Sequence, residues 1–556
     1  MPASETFPGL PTETDVAVVG AGPTGLLLAN LLALQGVRVA VLEARSTLID
    51  YPRGIGLDDE SMRSMQAAGL AESVLAHVVP NQRLRYVTAE GRILAEFAPG
   101  ADDFGWPRKL GFIQPQVDRR MYEGLERFDH ANVHFGRTVE TFREDVDGVD
   151  VEIDTEEGQR AKLRARYLVG CDGGRSGVRK AMGVNFDGVS EPTRWLVVDL
   201  RNDPIGTPNA AVYCDPNRPY VSVGLPHGVR RFEFMLFDHE GQDPAEVEAI
   251  LRRLLAEHLD EPEEADLIAY RVYAHHARVA SSFRKGRLLI AGDAAHLMPV
   301  WQGQGYNTGI RDAGNLAWKL ALVCQGRAAP SLLDSYDLER RPHAKSMVDL
   351  SRASGRFLGV RNKALAAVRD RVTLAAGSIR PVRDYFLQMR FKPMPTYREG
   401  AVADSPRKSP VGTLFIQPDV VVDEPTARWK LDDVLGNRLA VLRWGDDPRT
   451  CLNSTEQAFW RAHEARFAKL LPMTQFTAQR PETPQDDELL VIGDLDGRLR
   501  AWFNQNPYGV VFLRPDRIVA AACQPQRATA TAAELRNRLS LLDRQRVTGS
   551  ADVRSA

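Results

Sequence analysis

Cysteine is scarce in this chain: five in 556 residues, scattered as Cys171, Cys214, Cys324, Cys451 and Cys523 with no Cys-x-x-Cys pair. That usage argues against a disulfide framework and against a zinc site, and a reducing cytoplasm is its natural setting. A surplus of one charge is lacking as well. The 71 basic and 73 acidic residues leave a formal charge of −2, so no electrostatic footprint for nucleic acid or an anionic membrane is written into the chain, and a small-molecule partner is expected. Long apolar runs are nearly absent. The one of membrane-like length, Val16 to Leu34, is interrupted by three glycines and a proline, which argues for a soluble protein. Ahead of it stand Glu5, Glu13 and Asp15 with no Lys or Arg, unlike a secretory leader. Neither an internal repeat nor a low-complexity tract occurs. What is there is 44% apolar and 26% charged, over a length that suits about three domains with cores deep enough for water-poor pockets.

Residues 15–43, DVAVVGAGPTGLLLANLLALQGVRVAVLE, read as a β-branched strand, a glycine turn, a Leu/Ala-rich helix stopped by Gly36, and a second strand ending in an acid. Arg83 to Phe97 predicts a hairpin turning at Glu90-Gly91, and Gln116 to Phe128 predicts a helix. Short strands alternate from Thr138 to Val169. Residues 195–237 change character, with strands separated by Pro/Asn/Gly turns as in an antiparallel lobe. A helix near Pro244–Leu259, a strand around Ile268–Val279 and a short buried strand at Arg287–Ala291 follow. A glycine-rich loop then leads to a long helix near Asp312–Gln325. Prolines and basic residues thicken from Arg380 to Pro410, marking a connector before a third unit near 411–545. That unit should hold strands at Leu439–Trp444 and Val510–Leu513 and a last helix near Thr531–Leu542, with the final dozen residues frayed.

The chemistry begins at Gly20-Ala21-Gly22-Pro23-Thr24-Gly25, between strand and helix, with Glu43 closing the next strand. This is the full dinucleotide fingerprint rather than a bare glycine match. Gly20 permits the tight turn, Gly22 lets a pyrophosphate approach the backbone, and Gly25 lets helix and strand pack. The N–H groups at the helix start, around Pro23 and Thr24, would meet the phosphates, and Glu43 would accept from a ribose diol. The fingerprint alone leaves FAD and NAD both open.

Two further segments bear on that choice: Val169-Gly170-Cys171-Asp172-Gly173-Gly174-Arg175-Ser176-Gly177-Val178-Arg179, and Gly292-Asp293-Ala294-Ala295-His296-Leu297-Met298-Pro299. With the fingerprint ahead of them they resemble the flavin-dependent aromatic hydroxylases, the single-component class sharing the para-hydroxybenzoate hydroxylase fold. Further runs extend the likeness over nearly the whole chain: Ile49-Asp50-Tyr51-Pro52-Arg53, Gly105-Trp106-Pro107-Arg108, Phe112-Ile113-Gln114-Pro115-Gln116, Asp215-Pro216, Arg231-Phe232-Glu233-Phe234-Met235, and Pro299 to Asn307. They are similar to the members that act on 3-(3-hydroxyphenyl)propionate and 3-hydroxycinnamate. The resemblance implies an α/β (α+β multidomain) fold: a Rossmann-like FAD-binding domain, an antiparallel-sheet substrate lobe and a C-terminal thioredoxin-like domain. The division expected is FAD binding over 1–185, with the hairpin near 83–97 lent to the lobe; the lobe over 186–275; the second FAD-binding part and a helical connector over 276–400; and the thioredoxin-like unit over 401–556. That last unit, carrying Leu513-Arg514-Pro515-Asp516, lacks redox cysteines and should serve packing or a homo-oligomer contact.

The same resemblance implies an FAD-containing monooxygenase using NADH and dioxygen to hydroxylate a carboxylated phenol ortho to its hydroxyl, in aromatic catabolism. It places Asp293 on the ribityl chain, and Ala44, Arg45, Arg53, Gln116, Asp172, Gly292, Pro299, Gly303, Gly305 and Asn307 at the cofactor. No metal is expected. For the phenol, Tyr273, His275 and Tyr220 are the candidates, with His276 and His227 beside them. Period-two alternation puts Tyr273 and His275 on one strand face and His276 on the other, so only one histidine should face a given pocket. A histidine near its ordinary pKa of about 6.5 would accept a phenol proton. The carboxylate needs a cation, from Arg108, Arg218, Arg230 or Arg231. A hydroxylase for another phenol or polyketide ring, a nicotinamide dehydrogenase, and a module holding FAD structurally are the rival readings.

Overall fold

The computed structural model describes residues 10–543 apart from 52, 101, 156–157, 242, 423, 425 and 479–487. Pro52 of the Ile49–Arg53 run and the last dozen residues lie outside the described residues. The first sheet has eight strands, and its main path runs Arg284–Lys285, Leu288–Ile290, Arg160–Gly170, Glu13–Val19, Val39–Glu43, Ala131–Phe135. Its centre is parallel, with Val16 opposite both Tyr167 and Val39, and Leu168 opposite Leu288. Val16, Ala17 and Val18 are consecutive and fully buried, as expected of a strand covered on both faces. Helix Pro23–Ala33 makes the crossover to Val39–Glu43. Gly20 sits at φ +104°, where a Cβ would lie 2.5 Å from the Cys171 carbonyl oxygen, so the turn requires glycine there.

The second sheet, also of eight strands, runs His296–Leu297, Leu267–Ala280, Phe186–Leu200, Val229–Leu236, Tyr220–Leu225, Ala210–Tyr213, Leu84–Val87, Ile93–Phe97. The last two form the expected hairpin and join the lobe by a parallel pairing of Leu84–Val87 with Ala210–Tyr213. One face is closed by helix Pro244–Ala256, whose Leu251 and Leu254 pack with Leu196, Val198, Phe232 and Phe234. The other face looks across to the first sheet and its glycine turns.

The long helix spans Gly305–Cys324, so it starts seven residues before the expected Asp312. One of the glycines that suggest a loop serves close packing instead: a Cβ on Gly309 would stand 3.2 Å from the Cα of Gly292 and closer still to the Thr24 hydroxyl. The expected helix at Gln116 likewise starts earlier, at Gln114, with Pro115 in its first turn, where a missing N–H costs nothing. The connector opens as a helix, Arg380–Leu387.

In the third sheet Ala440–Trp444 pairs in parallel with Arg466–Pro472 and antiparallel with Val510–Leu513, and Val519–Cys523 follows antiparallel. With helix Ser454–Ala462 crossing between the parallel strands and helix Ala528–Arg538 behind, the unit is thioredoxin-like. Its Arg514 reaches Glu339 of helix Asp334–Leu358 with two bonds of 2.7 and 2.9 Å, and Lys319 of Gly305–Cys324 completes the group at 2.9 Å. All three side chains are fully buried. The Leu513–Asp516 run is thus a clasp between units.

Candidate functional site

A cleft of about 1220 Å³ lies between the first sheet's glycine turns and the second sheet. Gly22, Pro23, Thr24, Arg45, Arg53, Asp172, Asp293, Pro299, Gly303 and Gly305 all line it, so these residues, far apart in sequence, meet in one place. Helix Pro23–Ala33 has Gly22 as its N-cap and no side chain capping its first turn, and a Cβ on Gly22 would meet nothing within 4 Å. An uncapped helix start facing open space is a built anion site. Glu43 braces the turn: one carboxylate oxygen accepts from Ala21 N at 2.8 Å, the other from Arg45 N at 3.0 Å. Ala44 is exposed just beyond the strand. Asp172 accepts from Gly177 N at 2.7 Å and Val178 N at 3.2 Å through one oxygen, while its other oxygen is buried with no partner. Such a donor and acceptor set fits a bound dinucleotide.

Asp293 is about one-third exposed toward the cleft and meets Arg53 at 3.4 Å. Its loop is fixed from behind by Asp312, which accepts from Gly292 N at 3.0 Å, His296 at 2.7 Å and Arg340 at 2.8 Å. His296 of the motif is therefore a brace. Of the expected cofactor set, Gly20, Gly25, Glu43, Ala44, Gln116, Gly292 and Asn307 do not themselves line the cleft. The Asn307 side chain is fully buried behind the loop: its amide donates to the Gly56 and Gly303 carbonyls and its oxygen accepts from Asp58 N and the Ser61 hydroxyl, so what this residue has left to offer a cofactor is its backbone N–H in the uncapped first turn of helix Gly305–Cys324. Gln116 does not line the cleft; Gln114 does. Gln114 Oε1 accepts from Arg53 N at 3.2 Å and Gly54 N at 2.7 Å, and Nε2 donates to Asp118 at 3.0 Å. Burial pushes the Asp118 carboxyl up to about 7.

At the sheet end the two-residue period sorts the candidates. Trp195, Val197, Asp199, Arg231, Glu233, Tyr273 and His275 face the cleft. Tyr220 does not: it stacks on Tyr213 at 4.1 Å and packs toward Phe234 and His258 on the helix-covered face, so its candidacy is withdrawn. His227 pairs with His77 at 3.3 Å, away from the cleft lining. His275 and His276 both line the cleft, contrary to the alternation, as do all residues from Ala269 to His276 on this strand, and His276 bonds Ser190 at 2.9 Å. Tyr273 donates to Glu233 at 3.0 Å, and burial together with that carboxylate holds its phenol far above the usual range. Burial, with His276 adding, drops His275 to about 4, so it is neutral near pH 7 and a poor proton acceptor, against expectation. Both its ring nitrogens lack hydrogen-bond partners; its ring stacks on Trp195 at 5.4 Å and meets Trp301 edge-on at 6.0 Å.

Three of the four arginines expected for the carboxylate are already committed. Arg218 pairs with Glu240 at 2.8 Å and Arg230 with Asp203 at 2.7 Å, neither lining the cleft. Arg231 lines it but holds Asp199 in a two-pronged pair at 2.8 Å with Glu233 at 3.7 Å. Arg108 remains at the wall, 3.9 Å from Asp59. Sequence reasoning passed over Lys109, Gln114, and a buried cluster in which Lys392 bridges Asp58 and Glu60 at 2.8 Å each while Arg311 holds both acids. Nothing in the linear pattern separates these from surface charges.

Compared with known proteins, residues 13–351 match the family model described as FAD binding domain, and 412–538 match the HcaD C-terminal domain. A 3-(3-hydroxy-phenyl)propionate/3-hydroxycinnamic acid hydroxylase of Mycolicibacterium gilvum (strain PYR-GCK) is 52% identical over 93% of this chain and 90% of its own length. One of that name from Klebsiella pneumoniae (strain 342) is 46% identical over 96% of each. Among solved structures, the flavin-dependent monooxygenase PieE in complex with FAD and substrate superposes with a TM-score of 0.79 at 21% identity, over 96% of this chain and all of PieE. Among the described residues no helix is long and apolar enough to cross a membrane.

Proposed function

The chain belongs to the FAD-dependent aromatic hydroxylases, and on that premise we propose that it hydroxylates 3-(3-hydroxyphenyl)propionate and 3-hydroxycinnamate ortho to the phenol, giving 2,3-dihydroxy products. NADH and dioxygen, the co-substrates usual in the family, are consumed. The observation that carries the substrate is the likeness at 52% identity, over 93% of this chain, to a relative bearing that name. When bound, FAD supplies electron transfer from NADH and activation of dioxygen. The chain's own residues hold and shelter. The first turn of Pro23–Ala33 and Gly22 take the pyrophosphate, Glu43 and Arg45 the adenosine side, and Asp293 the ribityl chain. Gln114 fixes the backbone at Arg53 and Gly54, and the turn from Gly303 to Tyr306 borders the ring system. Trp195, Trp301 and neutral His275 wall the phenol ring, excluding water and limiting its orientation. With unpartnered nitrogens, His275 offers a hydrogen bond rather than a proton sink.

The division at 1–185, 186–275, 276–400 and 401–556 is proposed on the same footing, supported by three large separate sheets, although the boundary at 275 falls inside strand Leu267–Ala280 of the second. All five cysteines are free, which supports a cytoplasmic setting. The test is NADH oxidation in air across a phenol panel, with products identified. Stimulation of at least about tenfold by 3-(3-hydroxyphenyl)propionate, with the 2,3-dihydroxy acid formed, is expected. Stimulation confined to other phenols or to polyketide rings would overturn the substrate assignment.

A further inference from the structure

Three carboxylates lining the cleft near the second sheet are each held by a cation: Asp58 by Arg311 and Lys392, and Asp199 and Glu233 by Arg231. Lys109 is different. It precedes the short strand Leu110–Phe112, which pairs with Gly56–Leu57 and puts Gly56 opposite Gly111. The Lys109 backbone is tied down by Gln82 N at 3.2 Å, while its side chain lines the cleft and makes no hydrogen bond or ion pair with any described residue. A Cβ placed on Gly56 would stand 3.9 Å from Lys109 Nζ and 3.9 Å from the Gly303 carbonyl oxygen. The ammonium therefore lies close to a bare glycine, on the side of the cleft where the Gly303 turn stands.

We propose that Lys109 is the anion-binding group of this chamber, its ammonium receiving an oxyanion of the aromatic substrate, either the carboxylate or the phenolate. The site stands on the geometry above; the identity of the anion rests on the proposed substrate. Burial without a counter-charge lowers this lysine to about 8, a cost that an arriving anion relieves. A buried charge-assisted hydrogen bond of this kind corresponds to about 10- to 100-fold in affinity.

The experiment titrates FAD-loaded wild type, Lys109→Met and Lys109→Arg with three ligands, reading the perturbation of flavin absorbance. The ligands are 3-(3-hydroxyphenyl)propionate, 3-phenylpropionate (carboxylate alone) and 3-propylphenol (phenol alone). If the carboxylate is held, Lys109→Met weakens the two acids about 10- to 100-fold and spares 3-propylphenol; if the phenolate is held, it weakens the two phenols and spares 3-phenylpropionate. Lys109→Arg should retain part of the affinity in either case. Because the cation has no partner to lose, Lys109→Met should melt no lower than wild type in the absence of ligand. Equal binding of all three ligands by wild type and Lys109→Met, no binding to wild type, or a variant that unfolds or loses FAD would overturn the proposal. Failure of the substrate reading looks different: wild type then makes no dihydroxy acid, while Lys109-dependent binding of 3-phenylpropionate or of 3-propylphenol persists.

Discussion

At the residue scale, two glutamines two positions apart have separate fates. Both stand in the run Gln114-Pro115-Gln116, and linear spacing offers no reason to prefer one. The helix begins at Gln114, which turns that side chain back onto the amides of Arg53 and Gly54, while Gln116 leaves the cleft. Gln114→Leu removes the acceptor of two part-buried amides and should cost about 1 kcal/mol, read as a lowered FAD-to-protein ratio after gel filtration. Gln116→Leu should keep its FAD within about twofold of wild type. Equal FAD loss in both would refute the distinction. The glycines were legible because each answers a steric demand of the turn. Lys109 was not, since next to Arg108 it reads as half of an ordinary basic pair until the partners of both are seen.

At the scale of the element, the substrate sheet obeys strict alternation along Val229–Leu236, where Phe232 and Phe234 pack under helix Pro244–Ala256 and Arg231 and Glu233 face the cleft. Antiparallel strands were readable from their turns, but which face is the inner one depends on which side the helix covers, and no local pattern states that. This is why Tyr220 was misplaced and Tyr273 was not. Tyr273→Phe strips the buried Glu233 of its hydroxyl donor and should destabilise the protein by about 1–3 kcal/mol in denaturant melts. Tyr220→Phe, on the covered face, should leave kcat/KM within about twofold. A loss of activity in Tyr220→Phe without a loss of stability would mean the faces are assigned wrongly. The start of helix Gly305–Cys324 was misjudged for a related reason: Gly309 looks like a loop residue, yet the close approach to Thr24 and Gly292 needs it small.

On the scale of the whole molecule, the third unit is fastened to the rest through Arg514, Glu339 and Lys319, all without exposure. The Leu513–Asp516 run was recognisable in the sequence; its partner, Glu339, lies 175 residues away and no pattern links them. Removing Arg514 leaves Glu339 with Lys319 alone and takes the cation from Asp516, so Arg514→Met should cost about 3–5 kcal/mol and uncouple the melting of the third unit. Burial alone would raise the Glu339 carboxyl, but Arg514 and Lys319 outweigh it and hold it near about 2, below the ordinary 4.5. A lowered folded value means the contribution is complete above pH 4.5 and is lost as pH falls toward 2. Denaturant melts between pH 5 and pH 2.5 should show wild type losing more stability than Arg514→Met, whose carboxylate lacks that support; parallel losses would contradict the clasp.

The most direct measurement of the whole account is isotopic. FAD-loaded enzyme is given 3-(3-hydroxyphenyl)propionate and NADH under ¹⁸O-labelled dioxygen, and the product is analysed by mass spectrometry. The expected result is 3-(2,3-dihydroxyphenyl)propionate carrying a single heavy oxygen in its new hydroxyl. A product with unlabelled oxygen, or NADH consumed with all the label leaving as hydrogen peroxide, would contradict it.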